Sequence, residues 1–485
     1  MQNQTLMQAF EWYLPSDHQH WNRLAQLAPE LAAKGIRKIW LPPAFKGTNK
    51  DDVGYGVYDL FDLGEFDQKG TIPTKYGTKD DYLNLIETLK ANGIAPIADI
   101  VLNHKAGADH KERFTVIEMN PNNRQEAISE PFEMEGWTCF TFDGRQKAYN
   151  DFTWHWYHFT GTDYDAGRNR SGIYLIQGDN KGWADDALVD DENGNYDYLM
   201  YDDIDFKHPE VVQHLYDWAH WFIETTGVRG FRLDAVKHID SFFMKNFIRD
   251  LTEHYGDDFY VFGEFWNGDE EANSQYLEKT DFHYDLVDVK LHQNFFDAGQ
   301  AGADYDLTKI FDQTLMQNYP ESAVTFVDNH DTQRGQALES TVAEWFKPLA
   351  YAMILLRQSG LPCVFYGDYF GIQGDFAQES FQEVIDKLLN LRLYHAYGQE
   401  TDYLDDPNCI AWTRAGNEEN DGRPLAVILS NKDDASKRLF LGPEWAGRTF
   451  RDGLEHHEAS VTIEEDGWAD FPVHGASVSA WILAD

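Results

Sequence analysis

The sequence predicts an α/β protein: a (β/α)8 TIM barrel, with an inserted irregular domain after the third strand and a C-terminal antiparallel β domain. Apolar strand-like runs alternate with amphipathic helical stretches at a spacing of about thirty residues, as in a parallel βα sheet. A polar stretch of about a hundred residues interrupts this rhythm once and is too long for a single loop. Near residue 395 the pattern changes to short strands with turn-forming dipeptides between them.

These changes of pattern divide the chain of 485 residues. We expect the barrel in residues 1–104 and 208–394, the inserted domain in residues 105–207 and the C-terminal β domain in residues 395–485. A (β/α)8 barrel alone takes roughly 250 residues or more, so the length accommodates one barrel and two smaller units.

The first βαβ unit is visible in the first 41 residues. Residues 6–12 alternate and are apolar enough for a strand, and residues 21–34 carry leucines at helical spacing. Gly35 ends that helix, and residues 36–41 form the next apolar run. A strand, a helix, a glycine and a strand indicate two neighbouring parallel strands.

The second helix carries a start signal and a stop signal. Thr78 and Asp81 form a capping pair at its start, and Gly93 ends it. Residues 94–102 are almost continuously apolar, as in a strand buried on both faces, and Asn103-His104 follows. After the polar insertion, a helix from Pro209 restores the rhythm, and five further strands are predicted at 231–234, 259–262, 284–289, 323–327 and 362–366.

The chain is strongly acidic, with 83 Asp and Glu against 40 Lys and Arg and a net charge of −43. Such a surface repels nucleic acid and anionic membranes, so we expect neither as a partner and favour a neutral substrate. Adaptation to a salty habitat and an ordinary acidic surface are both compatible with this charge. No run of about 18 apolar residues occurs, so no membrane span is predicted.

The amino terminus and the cysteines bear on the cellular compartment. Residues 1–7 contain no basic region followed by an apolar one, so they carry no secretory signal. Cys139, Cys363 and Cys409 are too far apart for a disulfide framework or a zinc motif and suit a reducing cytosol. We therefore expect a cytoplasmic monomer, although a secreted form whose signal had been removed would begin in the same way.

The stretch from Gly230 to His238 is typical of the end of a parallel strand that carries a reactive carboxylate. Side chains alternate along a strand, so Arg232 and Asp234 share one face while Phe231 and Leu233 share the other. A neighbouring arginine lowers the pKa of an aspartate and keeps it ionised, as a covalent nucleophile requires. A structural ion pair at a strand end is the alternative, and this stretch alone does not separate the two.

Chemistry-bearing residues stand at the end of several predicted strands. In a (β/α)8 barrel the active site lies at the carboxyl ends of the strands. If the barrel is correct, five groups of this kind converge on one face: Asn103-His104, Arg232, Asp234, Glu264 and His330-Asp331. So many at successive strand ends favour a catalytic site over a set of structural caps.

Four segments resemble the signature regions of the α-amylase family of glycoside hydrolases and occur in the family's order. They are Asp99–His104, Gly230–His238, Gly263–Trp266 and Phe326–Asp331. The match extends to residues 54–60 and 195–205 and covers nearly the whole chain. Among subgroups, the sequence is most similar to bacterial liquefying and cytoplasmic α-amylases.

The resemblance implies a retaining mechanism with three catalytic carboxyls. Asp234 would be the nucleophile, Glu264 the general acid and later the general base, and Asp331 an ionised group that stabilises the transition state. A retaining pair lies about 5 to 5.5 Å apart. Glu264 must be protonated near neutral pH, and the adjacent Phe265 and Trp266 offer the apolar surface that raises a carboxyl pKa.

The resemblance also implies a set of substrate contacts. Arg232 would keep Asp234 charged, and Tyr55 would stack on the sugar in the cleaving position. The histidines would bind sugar hydroxyls, and Lys237 would contact the leaving-group side or, alternatively, be only a solvated charge. The expected substrate-binding residues are Tyr55, His104, Arg232, Lys237, His238 and His330.

One calcium ion is implied by the same resemblance. Hard cations take clustered oxygen ligands. The expected ligands, from the end of the third strand, the insertion and the segment after Asp234, are Asn103, Asp197, Asp203 and the backbone carbonyl of His238. The alternative is an acidic cluster relieved by solvent alone.

The chain departs from its resembling group at further metal positions. Related liquefying enzymes have acidic residues where this chain has Thr160 and Lys207, and residues 406–408 lack the usual histidine-aspartate pair. We therefore predict a single Ca2+ rather than a multi-metal cluster, and lower thermostability.

The resemblance implies endo-hydrolysis of α-1,4-glucosidic bonds in starch, glycogen or maltodextrins, with retention of configuration. A maltooligosaccharide-forming amylase or a glucan transferase on the same scaffold is the alternative among enzymes. Lys237-His238 after Asp234 resembles amylases more than α-1,6-glucosidases. A non-catalytic glucan-binding protein is the alternative from another class, and the presence of all three carboxyls argues against it.

Overall fold

Eight parallel strands close into a barrel, which confirms the predicted fold class. The computed structural model describes residues 3–256 and 258–484. Residues 1 and 2 of the predicted barrel segment and residue 485 of the predicted C-terminal domain lie outside the described residues. Each barrel strand pairs with the next, and the first also pairs with the last. The barrel strands, named β1 to β8 here, are Thr5–Gln8, Ile36–Leu41, Ala95–Ile100, Gly230–Leu233, Tyr260–Gly263, Asp285–Val287, Ala323–Phe326 and Leu361–Phe365.

Helices surround the barrel and connect its strands. The helices near residues 21–34 and 78–93 and the one that starts at Pro209 were predicted from the period of their apolar residues, and each has a buried face. The bounds of the helices are His20–Ala33, Lys79–Ala91, Pro209–Thr226, Ser241–Tyr255, Glu270–Lys279, Val289–Ala301, Leu315–Asn318, Lys347–Leu356, Tyr366–Phe370 and Gln382–Tyr394.

The helix Lys79–Ala91 shows why local sequence determines these bounds. The Thr78 hydroxyl accepts from the backbone N–H of Asp81, and the Asp81 carboxylate accepts from the backbone N–H of Thr78, so the predicted capping box is present. Beyond its end, Gly93 has φ +72°, a conformation that favours glycine. The helix buries the predicted face of Tyr82, Leu85, Ile86 and Leu89.

The inserted segment contains an antiparallel sheet, so its predicted description as irregular is wrong. Its strands are His104–Lys105, His110–Asn120, Asn123–Ala127, Phe132–Cys139, Phe159–Asp165, Arg170–Ile176 and Asp202–Ile204. These strands are rich in polar and charged residues because one face is exposed, and the longest of them buries Phe114 and Val116 on either side of the exposed Thr115. The last strand returns to His104–Lys105, directly after β3, so the sheet stands beside the carboxyl end of the barrel.

The segment after residue 395 forms antiparallel sheets, as predicted. One sheet contains Glu400–Tyr403, Cys409–Arg414, Leu425–Ser430, Ser477–Leu483, Thr449–Asp452 and Ser460–Thr462, and a second pairs Ala435–Phe440 with Trp468–Val473. These sheets enclose a second apolar core, with buried Phe450, Phe471 and Trp481.

The first barrel strand is shorter than the predicted 6–12. β1 ends at Gln8, and the chain then leaves the barrel toward the loops at its carboxyl face, where the Trp12 backbone N–H donates to Gln333 Oε1 at 3.1 Å. Phe10 and Trp12 lie beyond the strand and pack among aromatic rings of the site. Their apolar side chains continue the alternating pattern, which explains why the predicted strand was too long. Among the described residues, no helix has the length and apolarity needed to cross a membrane.

Candidate active site

Arg232 lies at the centre of the carboxyl face of the barrel. Its guanidinium is buried and binds Asp99 Oδ1 at 2.9 Å and Asp234 Oδ1 at 2.6 Å through Nη1, while Nη2 binds Glu264 Oε2. The face of the guanidinium lies 4.8 Å from the ring centroid of Trp40. One side chain thus holds three carboxylates from β3, β4 and β5, which are neighbouring strands.

Asp234 and Glu264, the predicted nucleophile and general acid, are brought together by this arrangement. Their carboxylates bind opposite nitrogens of one guanidinium. The backbone fixes both residues, because the Asp234 N–H donates to the Ile100 carbonyl at 2.9 Å and the Glu264 N–H donates to the Leu233 carbonyl at 2.9 Å. Both side chains retain a small exposed fraction, 10% and 8%, at the open end of the barrel.

The electrostatics of the site favour a protonated Glu264. Burial raises its pKa well above the usual value, the Arg232 charge opposes this shift, and the nearby charges of Asp234 and Asp331 add to it. Burial likewise raises the pKa of Asp331 to about 7 and that of Asp99 to about 6. Burial therefore favours a proton on Glu264 near neutral pH, as the predicted acid requires.

Aromatic rings form the wall of the site beside Asp331. The Tyr55 hydroxyl donates to Asp99 Oδ2 at 2.8 Å. Its ring lies parallel to that of Trp12, with centroids 5.9 Å apart, and near-parallel to that of His330 at 5.1 Å. The predicted stacking residue is therefore held in place by a hydrogen bond and by two neighbouring rings.

The Nε2 atom of His330 is the ring nitrogen that faces Asp331. With the Gln8 amide nitrogen assigned to the position 2.9 Å from His330 Nδ1, the amide donates to Nδ1 and the ring proton lies on Nε2, 3.4 Å from Asp331 Oδ2. Burial lowers the pKa of His330 well below its usual value, so the ring is neutral. A neutral ring with its proton directed at the site is suited to donating to a sugar hydroxyl.

His104, Lys237 and His238 stand around the same opening. His104 Nε2 donates to the Tyr55 carbonyl at 2.8 Å, and His238 Nδ1 donates to the Tyr196 carbonyl at 2.7 Å. Lys237 is not the solvated charge of the alternative interpretation: its side chain is 8% exposed and its ammonium binds Glu192 Oε2 at 2.8 Å. Residues of the inserted segment thus close one side of the site.

Two of the predicted calcium ligands are buried carboxylates without a basic partner. Among the residues that the structure describes, Asp197 and Asp203 form no ion pair with Lys, Arg or His, and both are almost fully buried. Burial raises the pKa of Asp197 to about 7 and that of Asp203 well above its usual value. A bound cation would remove the cost of this buried charge.

Asn103 and the His238 carbonyl complete the predicted ligand set. The Asn103 amide lies 3.4 Å from both Asp203 Oδ1 and the His238 carbonyl oxygen. Rotating the amide, whose oxygen and nitrogen are assigned rather than observed, would bring a third oxygen to the same point. The donor set of two carboxylates, an amide oxygen and a carbonyl fits Ca2+.

Lysine ammonium groups lie near the predicted calcium ligands. Lys181 Nζ donates to Asp205 Oδ2 at 2.6 Å and to the Phe159 carbonyl at 3.1 Å. Lys207 Nζ donates to the carbonyl oxygens of Gly182 at 2.9 Å and Trp183 at 3.0 Å, and Thr160 donates to Asp203. Two lysine ammonium groups and a threonine hydroxyl thus donate to oxygens of the insertion.

Several residues of the site were missed by sequence reasoning. Asp99 received no role, although an acid within the apolar run 94–102 is a detectable signal. Glu192 and Lys181 gave no such signal, since they lie in a polar segment. In the part of the chain that the structure describes, two further groups of side chains lie close enough together to hold a metal ion: Glu112 with Cys139 and His155, and His158 with His208 and Glu210.

Comparison with known proteins identifies the class to which this fold and site belong. The family model described as the alpha amylase catalytic domain matches residues 29–416, and the alpha-amylase C-terminal model matches residues 425–482. The chain belongs to the α-amylase family of glycoside hydrolases.

Individual relatives span the whole chain. A glucan 1,4-alpha-maltohexaosidase of Bacillus sp. (strain 707) is 48% identical over 99% of this chain and 92% of its own length. An alpha-amylase of Bacillus licheniformis is 46% identical over 99% and 93%, and a cytoplasmic alpha-amylase of Escherichia coli (strain K12) is 43% identical over 100% of both. The solved alpha-amylase from Geobacillus thermoleovorans has the same fold, with a TM-score of 0.66 at 18% identity over 100% and 98%.

Proposed function

We propose that this protein is an endo-acting α-amylase that hydrolyses α-1,4-glucosidic bonds in starch, glycogen and maltodextrins with retention of configuration. The observation that carries the proposal is the shared binding of Asp234 and Glu264 by Arg232 at the ends of β4 and β5. A retaining hydrolase needs one ionised and one protonated carboxyl on either side of the scissile bond.

Asp234 and Glu264 divide the chemistry between them. The Asp234 carboxylate attacks the anomeric carbon while Glu264 gives its proton to the departing glucosidic oxygen, so a glycosyl-enzyme ester forms as the C–O bond breaks. Glu264, now ionised, takes a proton from water, and the resulting hydroxide displaces Asp234 and restores the starting state. Arg232 stabilises the charge on Asp234 before attack and after release.

Asp331 and the aromatic wall act on the sugar itself. Asp331 accepts from sugar hydroxyls and stabilises the positive charge that develops in the transition state, with the His330 Nε2–H directed at the same place. Tyr55 stacks on the ring, and His104 and His238 bind hydroxyls. Lys237 binds the leaving-group side, where Glu192 positions its ammonium.

One calcium ion is proposed to be held by Asn103, Asp197, Asp203 and the His238 carbonyl. When bound, it supplies structural charge compensation rather than a reacting group. Asp197 and Asp203 belong to the insertion, whereas Asn103 follows β3 and His238 follows Asp234. The ligands therefore tie the insertion to the two strands that carry the site.

Asp234→Asn tests the catalytic assignment. We expect at least a ten-thousandfold loss of kcat on maltoheptaose, of the order seen on loss of a nucleophile, with an unchanged unfolding temperature. The matched control is Asp217→Asn, an exposed aspartate on the helix Pro209–Thr226, which should retain full activity. A largely active Asp234→Asn enzyme would contradict the mechanism.

Maltoheptaose blocked at its non-reducing end tests the mode of cleavage. Internal cleavage of the blocked sugar would establish endo action, whereas resistance of that sugar beside cleavage of the free one would mean exo action. A maltohexaose-forming specificity is the second candidate, because the Bacillus sp. (strain 707) relative bears that name. A dominant six-unit product would favour it, and net transfer to added glucose would favour a glucan transferase.

We also propose a cytoplasmic, monomeric enzyme. The full-length similarity to the Escherichia coli relative named cytoplasmic supports this location. Fractionation of the source cells and sedimentation of the purified protein test the two statements, and activity in the medium or a mass of twice 56.0 kDa would contradict them.

A further inference from the structure

The half-buried Tyr13 and the exposed Phe376 form an aromatic pair at the rim of the barrel, called the rim pair here. The two rings are stacked, with centroids 5.2 Å apart and an interplanar angle of 19°. Tyr13 follows β1, and Phe376 lies in the loop after β8. The Phe376 side chain is 41% exposed. Apart from its contact with Tyr13, it therefore presents an apolar surface to solvent.

The loop after β7 fixes the rim pair. The Tyr13 hydroxyl donates to the Arg334 carbonyl at 2.8 Å and accepts from Gln336 Nε2 at 2.9 Å. Gly335 lies against both rings, with φ +81°, and a Cβ there would stand 2.5 Å from the Tyr13 hydroxyl and 2.6 Å from Phe376 Cζ. Three loops from β1, β7 and β8 thus converge on one prearranged aromatic surface.

The rim pair is continuous with the proposed catalytic site. Trp12, the neighbour of Tyr13, lies parallel to Tyr55 and 6.1 Å from the His330 ring, which in turn adjoins Asp331. In the barrel, β1, β7 and β8 stand across from β4 and β5, which carry the nucleophile, the acid and Lys237. The aromatic surface therefore extends the cleft away from the proposed leaving-group side.

We infer that the rim pair binds a glucosyl unit on the non-reducing side of the α-glucan, several units from the bond that is cut. An uncharged aromatic face suits the apolar face of a neutral sugar ring, and the acidic surface of the molecule disfavours an anionic ligand. This inference rests on the proposed function and adds Phe376 as a residue that determines substrate length.

Phe376→Ala tests the inference through substrate length. We expect kcat/KM for maltoheptaose to fall about three- to tenfold, mainly through KM, because the ring adds binding that is equal in ground and transition states. Maltotriose is too short to reach the rim, so its kcat/KM should not change. Phe376→Tyr keeps an aromatic face and should restore the preference for maltoheptaose, and Phe440→Ala, a phenylalanine of the C-terminal sheets with 40% exposure, should have no effect.

An equal fall for both substrates, or no difference from Phe440→Ala, would overturn the inference. If Phe376→Ala lowers the unfolding temperature, Phe376→Gln, which keeps a side chain of similar length without a ring, replaces it in the same comparison. Electrophoresis in glycogen-containing gels gives a readout independent of hydrolysis. In an Asp234→Asn background, loss of the Phe376 ring should reduce retardation, and unchanged retardation would refute the rim pair as a glucan site.

The same experiments separate failure of the inference from failure of the proposed function. If the unmodified enzyme does not cut maltoheptaose, the proposed function falls, while the gel still tests the rim pair. If it cuts maltoheptaose and Phe376→Ala behaves as the unmodified enzyme does, only the inference falls.

Discussion

Arg232 shows how a single residue organises the site. Its planar guanidinium binds Asp99 and Asp234 through one nitrogen and Glu264 through another, and its face covers Trp40. An ammonium group on a flexible stem cannot reproduce this fork. The identity of the cation, and not only its charge, therefore fixes the relative positions of the two reacting carboxyls.

Arg232→Lys is expected to lower kcat about a hundredfold or more, because the carboxyls lose their common anchor while the charge is kept. Steady-state kinetics on maltoheptaose measure the effect. Arg249→Lys, on an exposed helix face, is the matched control. Activity within threefold of the unmodified enzyme would show that charge alone is sufficient.

The pH profile should report the raised pKa of Glu264. A carboxyl whose pKa is raised remains protonated at neutral pH and loses its proton as the pH rises through that value. We therefore expect kcat/KM to fall on the alkaline side as Glu264 loses its proton, with an apparent pKa that the neighbouring Asp331 charge helps to raise. Measurement of kcat/KM across the pH range checks this, and a flat alkaline limb would contradict it.

At the scale of elements, Lys347 joins the ends of β7 and β8. Its buried ammonium binds Asp328 Oδ2 at 2.7 Å, Asp368, and Gln378 Oε1 at 3.0 Å. Asp328 in turn accepts from the Thr332 hydroxyl at 3.1 Å. A buried ion-pair network therefore holds the loop that carries Asp331 in place.

Lys347→Met should destabilise the fold by about 3 to 5 kcal/mol, because it leaves two buried carboxylates without their cation. Urea unfolding measures the change. Lys387→Met is the control, since Lys387 pairs with exposed glutamates and its loss should cost about 0 to 1 kcal/mol. Equal stability of the two variants would mean that the network contributes nothing.

Elements with strong local signals could be predicted from the sequence, and those without them could not. The capping box at Thr78 and the buried run of β3 gave correct elements, as did the strand at Ala323. The helices Glu270–Lys279 and Val289–Ala301 were not identified. The first is mostly polar and buries few residues, so the period of its apolar positions is weak.

The contacts of the site also divide into those that a local sequence motif predicts and those that it does not. Motifs at strand ends brought Arg232, Asp234 and Glu264 to one place, because the barrel geometry fixes where parallel strands end. The Glu192 contact with Lys237 joins residues 45 positions apart through loops, and the Tyr13 contact with Phe376 joins even more distant ones. Contacts between loops depend on tertiary packing that no local pattern records.

For the whole molecule, the net charge of −43 makes long-range electrostatic repulsion between its own acidic groups strong. Self-repulsion of this size opposes the compact state, and salt screens it over about 8 Å at physiological ionic strength and about 3 Å at 1 M. We expect the unfolding temperature to rise with added NaCl in calorimetry. KCl should act equally, and a falling temperature would show that screened ion pairs matter more than repulsion.

Exhaustive chelation should lower the unfolding temperature, and added Ca2+ should restore it. At a thousandfold excess over its Kd, a ligand of the folded state alone adds about 4 kcal/mol. Asp197→Asn should abolish the response, whereas Asp185→Asn, an exposed neighbour, should keep it. Calcium titration of the stripped protein should give one equivalent, and an unchanged unfolding temperature after chelation would refute the site.

The pairing of β1 with β8 has a consequence for biosynthesis. Leu6 lies opposite Cys363, so the barrel cannot close until the ribosome has made almost three quarters of the chain. At a synthesis rate of about 5 to 20 residues per second, β1 waits roughly twenty to seventy seconds for its partner. During that time the nascent barrel keeps two unpaired edges, which are open to pairing with other chains. The emerging polypeptide is therefore expected to depend on chaperones in a way that the finished, edgeless barrel does not.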